Sequence, residues 1–364
     1  MIPVTLARYF GIRFLTAVIA VFGGVFVLVV LVDYVELMRR ASDIPDVSAW
    51  LVAKTSFFRV PQVTERLLPF AVLVGAMTCY LNLSRRLELV IARSAGISAW
   101  QFVAPAVIAA LLLGVVATTV YNPVSATLLE RSKRLEADLF GGHESGLQGS
   151  SAAGFWVRQK SVDGQSIVNA RSSREQGVEL GGVTVFTFDS SGHFKERIEA
   201  KAAALESGHW RLEQARVYAS GAPPREYDSY LLSTNLTTEQ VRESFATPET
   251  VSFWQLPLYI ELADQAGLGA AGYRLQYQLL LARPILLAAM VLLAASVSLR
   301  FFRIGGVSRM VLSGVGAGFL LYVLSKITED LSTAELMHPV AAAWLPALVG
   351  GLTGFVVLLY QEDG

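Results

Sequence analysis

Six long stretches almost free of charge constrain this chain more than any other feature. They cover residues 14–32, 67–83, 94–129, 277–299, 310–325 and 339–360, and the only ionisable acid or base within them is Arg283. A hydrocarbon core about 30 Å thick needs roughly 20 helical residues, so each stretch suits a membrane-spanning helix. The stretches 67–83 and 310–325 are short but can extend through their flanks. The first is too long for a signal-peptide core, and Asp33-Tyr34-Val35-Glu36 stands where small cleavage-site residues would be needed. Composition agrees: 53% of residues are hydrophobic and 16% charged, against about 25% charged in soluble domains. That balance excludes a disordered chain. The 30 basic and 30 acidic residues cancel, which leaves no basic field for nucleic acid.

The interval 125–272 has a different character. Val183-Thr184-Val185-Phe186-Thr187-Phe188 alternates with period two and ends at Asp189-Ser190-Ser191-Gly192. The runs 202–206 and 210–218 flank Ser207-Gly208-His209. Such spacing predicts antiparallel strands, and the Gly- and Ser-rich stretch 141–154 reads as a loop. The expected layout is three transmembrane helices in 1–124, a β domain in 125–272 and three more helices in 273–364. The fold class is therefore membrane α-helical with an inserted all-β domain.

Short loops set orientation. Arg85, Arg86 and Arg93 lie between helices 2 and 3; Arg300, Arg303 and Arg309 lie between helices 4 and 5. Both loops are expected in the cytoplasm with both termini, which leaves the β domain outside. Arg39, Arg40, Lys54, Arg59 and Arg66 then fall on the outer side and require an explanation.

Familiar chemistry is missing. There is no Gly-Lys dipeptide and so no Walker loop. The four histidines lack metal-ligand spacing, no GxSxG elbow occurs, and the single cysteine, Cys79, has no partner for a disulfide or zinc ribbon. No cofactor and no catalytic residue are expected. The most informative loop is 84–98. Leu87, Val90, Ile91 and Ser94 share one side of a helical reading, Arg86 and Arg93 another, and Gly96 is a stop signal. On pattern alone this is either a short helix that docks on a cytoplasmic partner or a basic loop that sets topology.

Arg8-Tyr9-Phe10, Val32-Asp33, Arg39-Arg40-Ala41 and the run from Glu88-Leu89-Val90-Ile91 to Ser94-Ala95-Gly96-Ile97-Ser98 resemble the LptF/LptG lipopolysaccharide-export permeases. Leu180-Gly181-Gly182-Val183-Thr184-Val185-Phe186 and Gly318-Phe319-Leu320-Leu321-Tyr322-Val323-Leu324 add to the likeness, which is nearer the LptG branch and covers nearly the whole chain. The resemblance implies a multi-pass inner-membrane subunit of a Gram-negative bacterium that hydrolyses nothing itself. It implies an LptF-like permease, an LptB-like ATPase dimer and a single-helix LptC-like protein as partners. Lipopolysaccharide would be extracted from the outer leaflet and passed to a periplasmic bridge, and the β domain would be jelly-roll-like. Rival readings are the LptF-type paralogue, a permease for another lipid, a non-transporting envelope scaffold and a membrane-embedded enzyme.

Residue by residue, the resemblance implies that 84–96 is a coupling helix, with Arg86, Leu87, Glu88, Ile91, Arg93 and Gly96 at the ATPase contact. Arginine matches phosphate bidentately, so Arg39, Arg40 and Arg283 are candidates for lipid phosphates; for the first two, interfacial snorkelling or pairing with Glu36 and Asp43 is the competing reading, and for Arg283 it is interfacial snorkelling. Gly314 and Gly318 allow close helix approach, either to a partner subunit or inside the bundle. Phe155, Val157, Val183, Val185, Trp210 and Leu212 lie on one strand face, as an acyl-chain groove or as a closed core.

Overall fold

The computed structural model describes residues 4–42, 48–94, 96–140, 155–161, 164–174, 178–189, 193–206, 208–219, 223–234, 247–265, 270–304 and 307–363. Five long helices and one composite rod account for the six apolar stretches: α1 (Val4–Ala41), α2 (Ala49–Arg85), α4 (Ala99–Val116), α7 (Ala271–Ile304), α8 (Val307–Thr333) and α9 (Pro339–Asp363). A seven-residue α3 (Glu88–Ser94) links α2 to α4. Beyond α4 the chain makes a π-helical turn, Ala117–Tyr121, and continues as α5 (Asn122–Phe140). All six apolar regions are long and apolar enough to cross a bilayer. Residues 125–140, expected to open the β domain, are helical instead. Glu130, Lys133 and Arg134 mark the more exposed polar face of that helix.

The chain divides into a helical unit (Met1–Leu139, Ser252–Trp254, Arg274–Gly364) and a strand unit (Phe140–Val251, Gln255–Tyr273). The helical core runs through Phe10, Phe14 and Val18 of α1, Val72, Leu73 and Ala76 of α2, Phe102 and Ala106 of α4, and Leu287, Val291 and Ala294 of α7. Spacings of three and four place each set on one helix face. Two prolines show how the bundle repairs its own defects. Pro284 in α7 has no N–H, so the Leu280 carbonyl loses its helical donor; Thr118 in the π turn donates to it at 2.9 Å. Pro346 in α9 orphans Ala342 in the same way, and Thr328 of α8 supplies the bond at 2.9 Å. With no water at membrane depth these substitutions complete the backbone.

The cations that the charge rule would put on the outer side find local acids. Arg39 and Arg40 both donate to Glu36, each with a contact of 2.9 Å. Arg59 lies 3.6 Å from Asp33 and 3.7 Å from Glu136. That pairing accounts for three of the arginines that the charge rule left anomalous.

The strand unit contains β1 (Phe155–Ser161), β2 (Gly164–Arg174), β3 (Glu179–Phe188), β4 (Phe194–Glu206), β5 (His209–Ala219) and β6 (Arg225–Ser233), followed by α6 (Leu256–Gln265). The strands pair antiparallel in simple sequence order. The described strands are thus a meander, and the crossovers that define a jelly roll are not among them. The sheet is creased. Buried residues alternate normally until they jump by three: Leu180 to Val183, Ala200 to Ala203, Leu212 to Ala215. The register aligns the skipped positions, with Arg171, Gly182, Lys201, Gln214 and Asp228 opposite one another across five strands. Gly182 and Gln214 there have φ of 63° and 51°. Bending along one line keeps both halves of each strand facing the same core.

Candidate functional site

The link between α2 and α4 is built for exposure. α2 ends at Arg85, and Leu87 turns the corner with φ 61°, a left-handed conformation that is costly for a branched side chain. Its side chain is exposed, as is Ile91, while Leu89 between them is buried in the core cluster that also holds Phe10. One apolar side chain anchors α3 and two point away from the bundle. Gly96 has φ 81°, and Ser98 with Gln101 forms a capping box that starts α4. The backbone of α3 is therefore pinned at both ends. The side chains of Val90 and Arg93 lie outside the described residues.

Glu88 is tied to α1. Tyr9 Oη donates to its Oε2 at 3.0 Å, and Arg13 Nε donates to Tyr9 Oη at 3.2 Å. The Arg13 guanidinium also lies over the Tyr9 ring, 5.2 Å from its centroid. Beside this chain α1 and α2 line a cavity of about 420 Å³, with Arg13, Thr16, Asn82, Arg86 and Glu88 on its wall. Glu88 and Arg86 thus come together with the α1 residues Tyr9 and Arg13. Tyr9 belongs to the Arg8-Tyr9-Phe10 motif, but its 79-residue separation from Glu88 hides the pairing from a linear reading.

At the other end of α1, Arg39 and Arg40 share one carboxylate, so the trio carries a net positive charge on an exposed surface. Any pairing with Asp43 falls outside the described residues. Arg283 is a correction. It is turned inward, 13% exposed, with its Nη1 on the Glu65 carboxylate, whose side chain is 2% exposed. Glu65 also accepts from Asn122 Nδ2 at 2.9 Å and from Ser125 Oγ. A guanidinium committed to a buried acid is not a snorkelling anchor or a headgroup contact. Glu65, Asn122 and Ser125 were missed; the signal was available, because a lone arginine inside an apolar segment requires a counter-ion, and Glu65 flanks the apolar stretch of α2.

Gly314 and Gly318 also resolve inward. A Cβ at Gly314 would lie 2.4 Å from Met77 Cε, and one at Gly318 would lie 2.4 Å from Leu73 Cδ2. They seat α8 on α2 of the same chain instead of on a partner. In the strand unit Val183, Val185, Trp210 and Leu212 are buried with Ile198, Leu205 and Val217. They fill a core and line no open groove. The side chains of Phe155 and Val157 lie outside the described residues.

The family model described as the lipopolysaccharide export system permease LptF/LptG matches residues 8–360. The chain belongs to this family. It is similar to the lipopolysaccharide export system permease protein LptG of Escherichia coli K12, 24% identical over 350 residues that cover 94% of each chain. It is also similar to LptG of Haemophilus influenzae, 25% identical over 364 residues, with 98% and 97% of the two chains covered. Six helices long and apolar enough to cross a membrane, with an inserted antiparallel sheet, are thus the frame of a lipopolysaccharide export permease. α3, the Glu36 trio, the Glu65 cluster and the creased sheet all fall inside the matched region.

Proposed function

We propose that this permease subunit extracts lipopolysaccharide from the outer leaflet of the inner membrane and passes it upward to a periplasmic bridge, moved by ATP hydrolysis in a separate ATPase dimer. It pairs with an LptF-like permease, and an LptC-like single-helix protein joins the assembly. Both termini and the α2–α4 link face the cytoplasm; the strand unit faces the periplasm. Segments 1–124 and 273–364 supply the transmembrane helices, and the intervening strands supply the base of the bridge.

The observation that carries this reading is α3. A pinned short helix that buries Leu89 while exposing Leu87 and Ile91 around an acid has the form of a plug for a groove. Apolar anchors give such contacts affinity and a charged pair gives them register. Arg86 and Arg93 stand on the same link. The unburied apolar surface of α1, including Ile19, Leu28 and Val35, suits acyl chains and a second permease.

At the outer end of α1 the Arg39–Arg40–Glu36 trio presents its excess positive charge to lipid phosphates. Replacing Arg39 and Arg40 together by glutamate reverses that charge. Charge-assisted hydrogen bonds contribute about 1.5–3 kcal/mol each, so photo-crosslinking of lipopolysaccharide near this site should fall roughly tenfold or more, with assembly intact. Unchanged crosslinking and export would remove the phosphate role. The assignment as a whole is tested by purifying the tagged chain from its native membrane. Recovery of a second family member, an ATPase and bound lipopolysaccharide is expected; recovery of envelope proteins with neither lipid nor ATPase would support a scaffold.

A further inference from the structure

Three helices converge on Glu65. From α2 the carboxylate offers Oε1 to Arg283 Nη1 of α7 and to Asn122 Nδ2, and Oε2 to Ser125 Oγ of α5. Asn122 and Ser125 are fully buried. Asn122 in turn accepts the Phe253 N–H on its Oδ1 at 2.9 Å, and Ser125 also reaches Gln62 Oε1 at 3.3 Å. Both carboxylate oxygens, the guanidinium and the amide are therefore engaged at once. Just beside them Tyr121 Oη lies 2.8 Å from Thr64 Oγ1 and 3.1 Å from the Pro61 carbonyl.

The cluster sits where the chain has given up regular helix. Asn122 follows the π turn Ala117–Tyr121, and Arg283 precedes Pro284. π turns and helix prolines leave local slack in the ladder. The same turn also sends Thr118 to the carbonyl that Pro284 frees. The two helix triplets, α1–α2–α4 and α7–α8–α9, thus meet through directional bonds at their most deformable points. Farther along the seam, among the described residues, apolar contacts join them, with Gly314 and Gly318 against Met77 and Leu73. Apolar contacts tolerate sliding. A multiply bonded ion pair does not, because any separation leaves a charge without partner in a dry environment.

We infer that the Glu65–Arg283 pair is the mechanical joint that makes the two helix triplets of this chain move as one body during the transport stroke. The inference rests on the reading that a partner ATPase drives the permease. A stroke delivered at α3 enters the first triplet, and the joint carries it into α7. Arg283 serves this role from inside the chain, not as a contact for the cargo.

The test uses the complete complex in proteoliposomes containing lipopolysaccharide, with ATP hydrolysis and lipid release measured together. Glu65→Gln and Arg283→Gln each strand one buried group, so both should lower the thermal midpoint of the complex. The double variant Glu65→Gln/Arg283→Gln buries no lone charge. It should assemble with a midpoint near wild type, yet release at least about threefold less lipid per ATP hydrolysed. Arg283→Lys keeps a pairing charge and should retain most of the wild-type ratio. A neutral double variant with the wild-type ratio would overturn the joint, since a purely packing role is met by any well-seated neutral pair. Failure of that variant to assemble would overturn it equally and assign the pair to folding. If the wild-type complex itself shows no link between hydrolysis and lipid release, the driven-permease reading falls instead.

Discussion

Replacing Gly114 by alanine is expected to cost the helical unit about 3 kcal/mol or more. A Cβ at Gly114 would lie 2.4 Å from the Cα of Pro284 and 3.0 Å from its nitrogen. Those are backbone atoms in the middle of α7, so no side-chain rotamer relieves the clash and α4 must separate from α7. Overpacking ordinarily costs about 1–3 kcal/mol, and separation here would also stretch the Thr118 bond to the Leu280 carbonyl. A glycine in another helix gives the control. Gly23 in α1 has nothing within 4 Å of the corresponding position, so Gly23→Ala should leave stability unchanged or raise it by several tenths of a kcal/mol through helix propensity, roughly 0.8–1.0 kcal/mol at most. Thermal unfolding of the detergent-purified protein compares the two. Equal midpoints for Gly114→Ala and wild type would mean that α4 and α7 do not approach as described.

Loss of Glu88 should have the largest functional effect. In the proposed assembly its carboxylate pairs with a cation in the ATPase groove, and removal of one member of a desolvated pair costs about 2–5 kcal/mol. Glu88→Ala is therefore expected to weaken association with the ATPase by roughly a hundredfold, or to leave hydrolysis running without lipid release. Within this chain Glu88 also accepts the Tyr9 hydroxyl, and an exposed hydrogen bond of that kind contributes only about 0.5–1.5 kcal/mol. Tyr9→Phe isolates that smaller part, since it deletes the internal bond and keeps the carboxylate. The expected order is a severe defect for Glu88→Ala and a mild one for Tyr9→Phe, read as affinity for the purified ATPase and as lipid released per ATP. Wild-type values for Glu88→Ala would refute α3 as the coupling element.

What the sequence discloses follows from how far apart the responsible residues are. The six spanning helices are written in contiguous apolar runs, and the strand 183–188 and the hairpin 202–218 in local alternation; both signals have a reach of a few residues. The start of the β domain is less legible. The charges of Glu130, Lys133 and Arg134 interrupt the apolar pattern, yet they lie on the more exposed side of α5. The crease is invisible in one strand, because a skipped residue has meaning only when Gly182, Lys201 and Gln214 align in register. Arg283 and Glu65 are separated by 218 positions; composition states that the arginine needs a partner without saying which acid supplies it. Gly314 and Gly318 show the same limit, since a small-residue stripe announces close approach and is silent about the identity of the neighbour.

The central claim is that this chain is a driven lever, gripping a phosphorylated lipid while another subunit supplies the power. Release of lipopolysaccharide from proteoliposomes to a soluble acceptor measures it most directly, with the permease present throughout and the partner ATPase and ATP supplied separately or together. Release should occur only when ATPase and ATP are both present. Hydrolysis of ATP by the permease without the ATPase, or lipid release at the same rate with neither, would contradict it.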